Sequence, residues 1–269
     1  ASGEDPWKSE IPQTFTTLYV KTAGDNTVMT TAQMKSVADA VLALAAPATV
    51  DFSEVVYEST TFPNSFKSNA NLAGIVFPQN VTATASAAFQ KTGMTSVTVL
   101  KDISYGSNAF DSCASLVSVT VEEGVTEIGN YMFQNTKLTS VTLPNSVTKI
   151  GASAFNGCSL TTINFGQGVK TIENSAFQNC GELTEIILPD ATETLGQNAF
   201  GDCPKLAKIS LGKNMKTLEA YCFVGYSKGC PLLGDIICRA TTPPTLKDDY
   251  GTGPFGGGWS PVAGKDVPA

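Results

Sequence analysis

The chain contains no histidine at all among its 269 residues. That absence removes Ser-His-Asp and Cys-His nucleophilic machinery, histidine-bound zinc and the commonest general base. Charge is also scarce. Only 15% of residues are Asp, Glu, Lys or Arg, and the net charge is -7 with a pI near 4.7. The 17 basic residues are scattered rather than clustered, which argues against nucleic acid and anionic membranes as partners. No apolar run approaches the roughly 20 residues that a membrane-spanning helix needs. The longest candidate, Val37 to Ala48, is short, rich in alanine and interrupted by Asp39. No signal peptide is visible. The opening Ala1-Ser2-Gly3-Glu4-Asp5-Pro6 reads as the start of an already processed chain or of a trimmed one.

What is present is a repeat. Phe110, Phe133, Phe155, Phe177, Phe200 and Phe223 fall in one register, with gaps of 23, 22, 22, 23 and 23 residues by subtraction. A fixed period of that length is the mark of a solenoid. Each unit carries a three-residue strand core, beginning with Val50-Asp51-Phe52. The series continues with Ile75-Val76-Phe77, Val97-Thr98-Val99, Val119-Thr120-Val121, Val141-Thr142-Leu143 and Ile163-Asn164-Phe165. Ile186-Ile187-Leu188, Ile209-Ser210-Leu211 and Ile236-Ile237-Cys238 complete it. Strand alternation turns the first and third residues of each triplet inward and the middle one outward. From Leu143, apolar residues follow at offsets four (Val147), seven (Ile150) and twelve (Phe155). Phe165, Leu188 and Leu211 repeat the scheme, with Thr192 in one valine position. The coil from Val99 is one residue shorter, with Phe110 at offset eleven.

The fold class expected is an α/β-type, mostly β solenoid of about eight to nine coils, with parallel strands on one face and a cap at each end. Residues 1–14 read as a tether. Residues 15–46 read as an N-terminal cap with one helix: Thr30 and Gln33 form a capping box, and Met34, Val37, Val41 and Leu44 lie on one face. The repeats are placed at 47–240. The segment 241–269, with Pro243-Pro244, Asp248-Asp249, a glycine-rich run, Phe255 and Trp259, reads as a C-terminal cap.

The unit LxxVxLPxxVxxIGxxAFxxC, seen from Leu138 to Cys158, resembles the BspA-type leucine-rich repeat. That repeat occurs in surface proteins of gut and oral anaerobic bacteria and of some protist parasites. The resemblance covers roughly residues 50 to 238, and the Ala240-Thr241-Thr242-Pro243-Pro244 segment resembles the ending of such proteins from Bacteroides-like bacteria. It implies a right-handed leucine-rich repeat solenoid and export to the cell surface or periplasm as a lipoprotein, anchored upstream of residue 1. It also implies a binding role rather than an enzymatic one. It carries no catalytic motif and no site residue.

Seven cysteines need an account. Cys113, Cys158, Cys180 and Cys203 lie three residues after a repeat phenylalanine. Cys230 matches them once an insertion around Tyr226-Ser227-Lys228 is removed, and Thr136, Thr92 and Asn69 fill the same slot. A slot accepting Cys, Thr or Asn is small, partly polar and inward-facing, so a buried column of free thiols is expected. One disulfide or a metal site are the alternatives, although thiolates in a line suit zinc's tetrahedron poorly. Cys222 and Cys238 are expected in the core.

The outward strand residues form a second column, in which Ile187 and Ile237 stand out. With Glu185, Lys208, Ser210 and Asp235 they give a mixed apolar and charged patch, and Trp259 among glycines is a surface able to stack on a sugar. Those seven residues are the expected partner site. The expected function is a non-enzymatic cell-surface module binding a protein or glycan, acting as a monomer, with no cofactor, metal or nucleic acid. A structural spacer without ligand is the second reading.

Overall fold

The computed structural model describes residues 16–21, 28–224 and 229–247. The tether, the turn at Gly24–Asn26, the loop at Tyr226–Lys228, Asp248-Asp249, Phe255 and Trp259 lie outside those residues.

The leading coil is β1 (Thr17–Tyr19), β2 (Val28–Met29) and helix α1 (Thr31–Leu42). Next come β3 (Ala48–Asp51), β4 (Val56–Tyr57), β5 (Thr61–Phe62), β6 (Leu72–Val76) and β7 (Ala83–Thr84). The central coils carry β8 (Ser96–Val99), β9 (Ser118–Val121), β10 (Glu127–Ile128), β11 (Ser140–Thr142), β12 (Lys149–Ile150), β13 (Thr162–Asn164) and β14 (Thr171–Ile172). The last are β15 (Glu185–Ile187), β16 (Thr194–Leu195), β17 (Lys208–Leu211), β18 (Thr217–Leu218), β19 (Asp235–Cys238) and β20 (Thr245–Leu246). The chain is thus a parallel β-solenoid of about eight turns with almost no helix.

Helix α1 starts where its sequence says. The Thr30 side chain accepts from the Gln33 amide, and the Gln33 side chain accepts from the Thr30 amide. The next coil binds both of its ends. Glu58 Oε1 accepts from the Thr31 amide at 2.6 Å, placing a carboxylate at the positive end of the helix dipole. At the other end the Asn71 side-chain amide donates to the carbonyls of Leu42 and Leu44, and Asn69 donates to that of Ala38. Asn69, in the slot elsewhere held by Cys or Thr, thereby ties the helix to the repeats.

Every ladder is parallel. On the strand face the pairings are β1-β3-β6, β8-β9, β11-β13 and β15-β17-β19; a second ladder runs β10-β12-β14-β16-β18-β20. The core is a single cluster of apolar side chains from the helix to Phe223. At its centre Phe89, Phe110, Phe133, Phe155, Phe177, Phe200 and Phe223 stack ring on ring. Centroids are 5.1 to 6.4 Å apart and adjacent planes lie within 17°. All seven rings are fully buried, each contributing about 1.5–3 kcal/mol by burial.

What turns each coil past its phenylalanine is a pair of left-handed residues. Tyr131 and Asn135 flank Phe133 with φ of 56° and 55°, Ser175 and Asn179 flank Phe177 at 58° and 60°, and Asn198 and Asp202 flank Phe200 at 54° and 56°. Between and at these positions, alternate amides reach the next coil: Tyr131 to Ala152 O, Phe133 to Ala154 O and Asn135 to Asn156 O, all at 2.8 Å. The left-handed kinks aim three amides per coil in one direction, which right-handed or extended backbone would not do.

The thiol column has a hydrogen-bonding role. Cys113, Cys158, Cys180, Cys203 and Cys230 each donate from Sγ to the carbonyl of the preceding coil's phenylalanine, at 3.1 to 3.3 Å. Thr92 and Thr136 donate to the phenylalanine carbonyl of their own coil, at 2.9 Å. The slot therefore selects side chains with a short donor. All seven cysteines are free thiols. Burial raises the Cys158 thiol pKa to about 11 and pushes Cys180 well above its ordinary value. Thr192 follows similar logic in its valine position, donating to Val169 O at 3.0 Å.

Two expectations need correction. Cys238, read from its place in the triplet as core, is exposed, because β19 pairs only with β17 and no later strand among the described residues covers it. Ser210, read as an outward residue, is buried at 9% accessibility, because its neighbours across both ladder rungs are the bulky Ile187 and Ile237.

Candidate functional site

The strand face is built from two columns of side chains in strict register. Glu185, Lys208 and Asp235 occupy one column of β15-β17-β19, and Ile187, Ser210 and Ile237 the other. Six of the seven expected partner-site residues thus share this face, with Ser210 buried between the two isoleucines. Trp259 lies outside the described residues. Ile187 is 59% exposed, among the most open large apolar side chains of the described surface, while Ile237 is half-buried. Lys208 Nζ sits 2.7 Å from Glu185 Oε1. The glutamate's hydrogen bond and charge raise the Lys208 pKa, with a smaller push from Asp235.

Arg239 borders this surface and was not singled out from sequence, although it is the chain's sole arginine. Its Nη2 donates to Leu188 O at 3.0 Å and its Nε to Leu211 O at 3.2 Å. Asp190 lies 3.3 Å from Nη2. The guanidinium fork clasps the ends of β15 and β17, which fixes the register of the patch; a lysine could not donate in that planar fashion.

Toward the N-terminus the same face changes character. β8, β9, β11 and β13 present Ser96/Thr98, Ser118/Thr120, Ser140/Thr142 and Thr162/Asn164, a double row of exposed polar side chains without charge. Two concavities lie at this end. A cleft of about 490 Å³ beside the short coil is lined in part by Lys101, Asp102, Ser104, Tyr105 and Glu127. The signal for it in the sequence was the eleven-residue offset to Phe110, where the other coils have twelve. Among the described residues no group of three His, Cys, Asp or Glu is placed to hold a metal ion, and no helix is long and apolar enough to cross a membrane.

Comparison with known proteins agrees with this architecture. The family model "BspA type Leucine rich repeat region" matches in six copies, over residues 48–113 and 104–229. A leucine rich cell surface protein from Faecalibacterium prausnitzii superposes with a TM-score of 0.50 at 22% identity. That match covers 71% of this chain and 63% of the other, so the chain spans less than two thirds of that protein's length. A leucine-rich repeat protein from Eubacterium ventriosum matches at 21% identity over 74% of this chain and 67% of its own, with a TM-score of 0.45. No curated protein matches the chain. With its corner phenylalanines, its parallel ladders and six copies of the family model, this chain belongs to the BspA-type leucine-rich repeat family.

Proposed function

We propose that the protein is an exported, non-enzymatic interaction module that docks a protein partner on the β15-β17-β19 face. The observation that carries this reading is Ile187, a large aliphatic side chain 59% exposed on a parallel sheet. It is aligned with half-buried Ile237 and bordered by the Glu185–Lys208 pair. An aliphatic centre with a charged rim is the anatomy of protein interfaces. Covering Ile187 would contribute about 1.5–3 kcal/mol to binding. The charged column, two acids around one lysine, favours a partner surface with a basic group opposite Asp235.

Leucine-rich repeat surface proteins generally act as protein-interaction modules. The relative from Faecalibacterium prausnitzii is described as a cell surface protein, which supports placing this chain outside the cell. A lipid anchor upstream of Ala1 is part of the same proposal, and the precursor sequence tests it: a lipobox cysteine there supports the anchor, and its absence removes it. The absence of histidine supports a non-enzymatic role. The docking experiment is an array of purified extracellular-matrix and bacterial surface proteins, probed with the native chain and with Ile187→Glu/Ile237→Glu. At least one interaction should weaken tenfold or more in the double variant while the circular dichroism spectrum is unchanged. If every interaction survives the double substitution, the face is not the docking surface. If the native chain binds nothing on the array, the spacer reading takes its place.

A further inference from the structure

A second concavity, on the strand face at the opposite end from the Ile187 patch, lies between β6 and β8. No ladder joins these neighbouring strands among the described residues. The cause is local. β6 carries an extra residue, Ala73, against β3, where the register shifts between Ala48 and Thr49. A bulge of this kind bends its strand and interrupts pairing. Gly74 belongs to the same device, since a Cβ there would stand 2.9 Å from Thr49 Oγ1.

The missing ladder leaves main-chain groups facing each other across a gap. Val76 O is taken by the Phe52 amide of β3's coil, so alternation turns the peptide groups of Ile75 and Phe77 toward β8. On β8, Thr95 O and Val99 O are taken by the coil of β9, so Ser96 and Thr98 face β6. One side chain partly fills the break. The Tyr105 hydroxyl, from the short coil, accepts from the Leu100 amide at 3.3 Å and donates to Thr98 O at 3.4 Å. It stands in for a strand at one end of the gap and leaves the other end open.

The result is a cleft of about 340 Å³, within the range of small-ligand pockets. Its floor includes Phe77, Ile75 and Val97, half-buried and packed on the core, with the Tyr105 ring in edge contact with Phe77 at 6.5 Å. Its rim includes the side chains of Ser96, Thr98, Ser118 and Thr120. Among the described residues no Asp, Glu, Lys or Arg lines it, whereas the neighbouring larger cleft has Lys101, Asp102 and Glu127.

This combination selects by exclusion. An ionic ligand would lose its hydration and meet no counter-charge. A purely apolar ligand would strip water from unpaired peptide groups and hydroxyls, at about 1–3 kcal/mol for each group left unsatisfied. What fits is a molecule with one C–H face for the Phe77–Val97 floor and many hydroxyls that both donate and accept. We infer that the β6–β8 cleft binds a neutral sugar unit of an uncharged glycan. This site is independent of the Ile187 face, and the two can fail separately.

The test is saturation-transfer NMR on the whole chain with neutral hexasaccharides (cello-, malto-, manno-, xylo- and chito-oligomers) and with oligogalacturonate as an anionic control. At least one neutral oligomer should give a saturable signal and shift the backbone amides of Ile75, Phe77 and Ser96. Ser96→Trp, at an exposed outward position, should weaken that binding at least tenfold. Thr98→Trp serves if the first variant loses its native spectrum, and Ile187→Glu should leave binding unchanged. No saturable signal from any neutral oligomer overturns the inference. So do shifts that map away from the cleft in the native chain, equal binding of oligogalacturonate, or full binding by a folded tryptophan variant.

Discussion

The phenylalanine column makes a quantitative claim about coupling between coils. Phe155 stacks on Phe133 at 5.5 Å and 17°, and on Phe177 at 5.2 Å and 7°; all three rings are completely buried. Replacing Phe155 by leucine keeps most of the apolar volume and removes the ring face. Each stacked pair is worth about 0.5–1.5 kcal/mol beyond its buried area, so two lost stacks give about 1–3 kcal/mol, with repacking adding up to ~1.5 kcal/mol. Phe177→Leu also loses two stacks, to Phe155 and to Phe200. The double variant loses the shared stack only once. Urea unfolding followed by circular dichroism should therefore show the double change falling short of the sum of the singles by about 0.5–1.5 kcal/mol. Phe110→Leu combined with Phe177→Leu is the control. Two rings, Phe133 and Phe155, separate them, and their effects should add. A coupling for the adjacent pair within about 0.3 kcal/mol of zero would show that the rings only fill volume.

Four further outcomes follow from the corner and the core. Ala87 holds φ of 58°, so Ala87→Gly should raise stability by about 1 kcal/mol in a thermal melt. Gly157→Ala should lower it, since φ is 71° and the new Cβ would stand 2.5 Å from Asn135 Oδ1. With a disulfide-exchange reagent and no denaturant, exposed Cys238 should react first, half-buried Cys230 slowly and the five buried cysteines not at all. Denaturation without reductant should release all seven, and a shortfall of two would reveal a disulfide. Burial raises the Tyr105 pKa to about 12 from an ordinary 10. The folded state resists ionisation that the unfolded chain accepts, so the tyrosine's contribution is intact below pH 10 and is lost as pH climbs toward 12. Urea midpoints should fall over that interval, and Tyr105→Phe should flatten the decline.

Much of the fold was legible because each repeat obeys one steric rule. Val147, Ile150 and Phe155 recur at fixed offsets only if successive coils overlay, and the structure buries all three. The residues the triplet rule misplaced sit where that overlay ends or is crowded. Among the described residues Cys238 belongs to the last strand of its ladder, and inwardness needs a neighbour on both sides. Ser210 is buried by two isoleucines that come from coils 23 residues before and 27 after, by subtraction. A column of hydroxyls was visible in the sequence, but the cleft was not. It lies where β6 and β8 fail to pair, beside the Ala73 bulge against β3, and neither a missing ladder nor a single inserted residue has a signature in side-chain pattern. Nor does the pairing of left-handed residues around each phenylalanine show in composition, because Ala87, Lys91, Tyr131 and Ser153 all adopt φ near 54–58° there.

The contrast between the corner and the strand face has a mechanical consequence. Three amide bonds per coil cross the corner without interruption, from the Ala87–Ser107 pair to the Asp202–Val224 pair. The strand-face ladder is cut between β6 and β8, β9 and β11, and β13 and β15. Under a bending load the corner is the inextensible side and the face is the compliant one, like a spine with a slotted front. Curvature can then change by widening or narrowing those slots while the stacked rings stay in place, and a ligand seated in the β6–β8 slot would stiffen the rod against that motion.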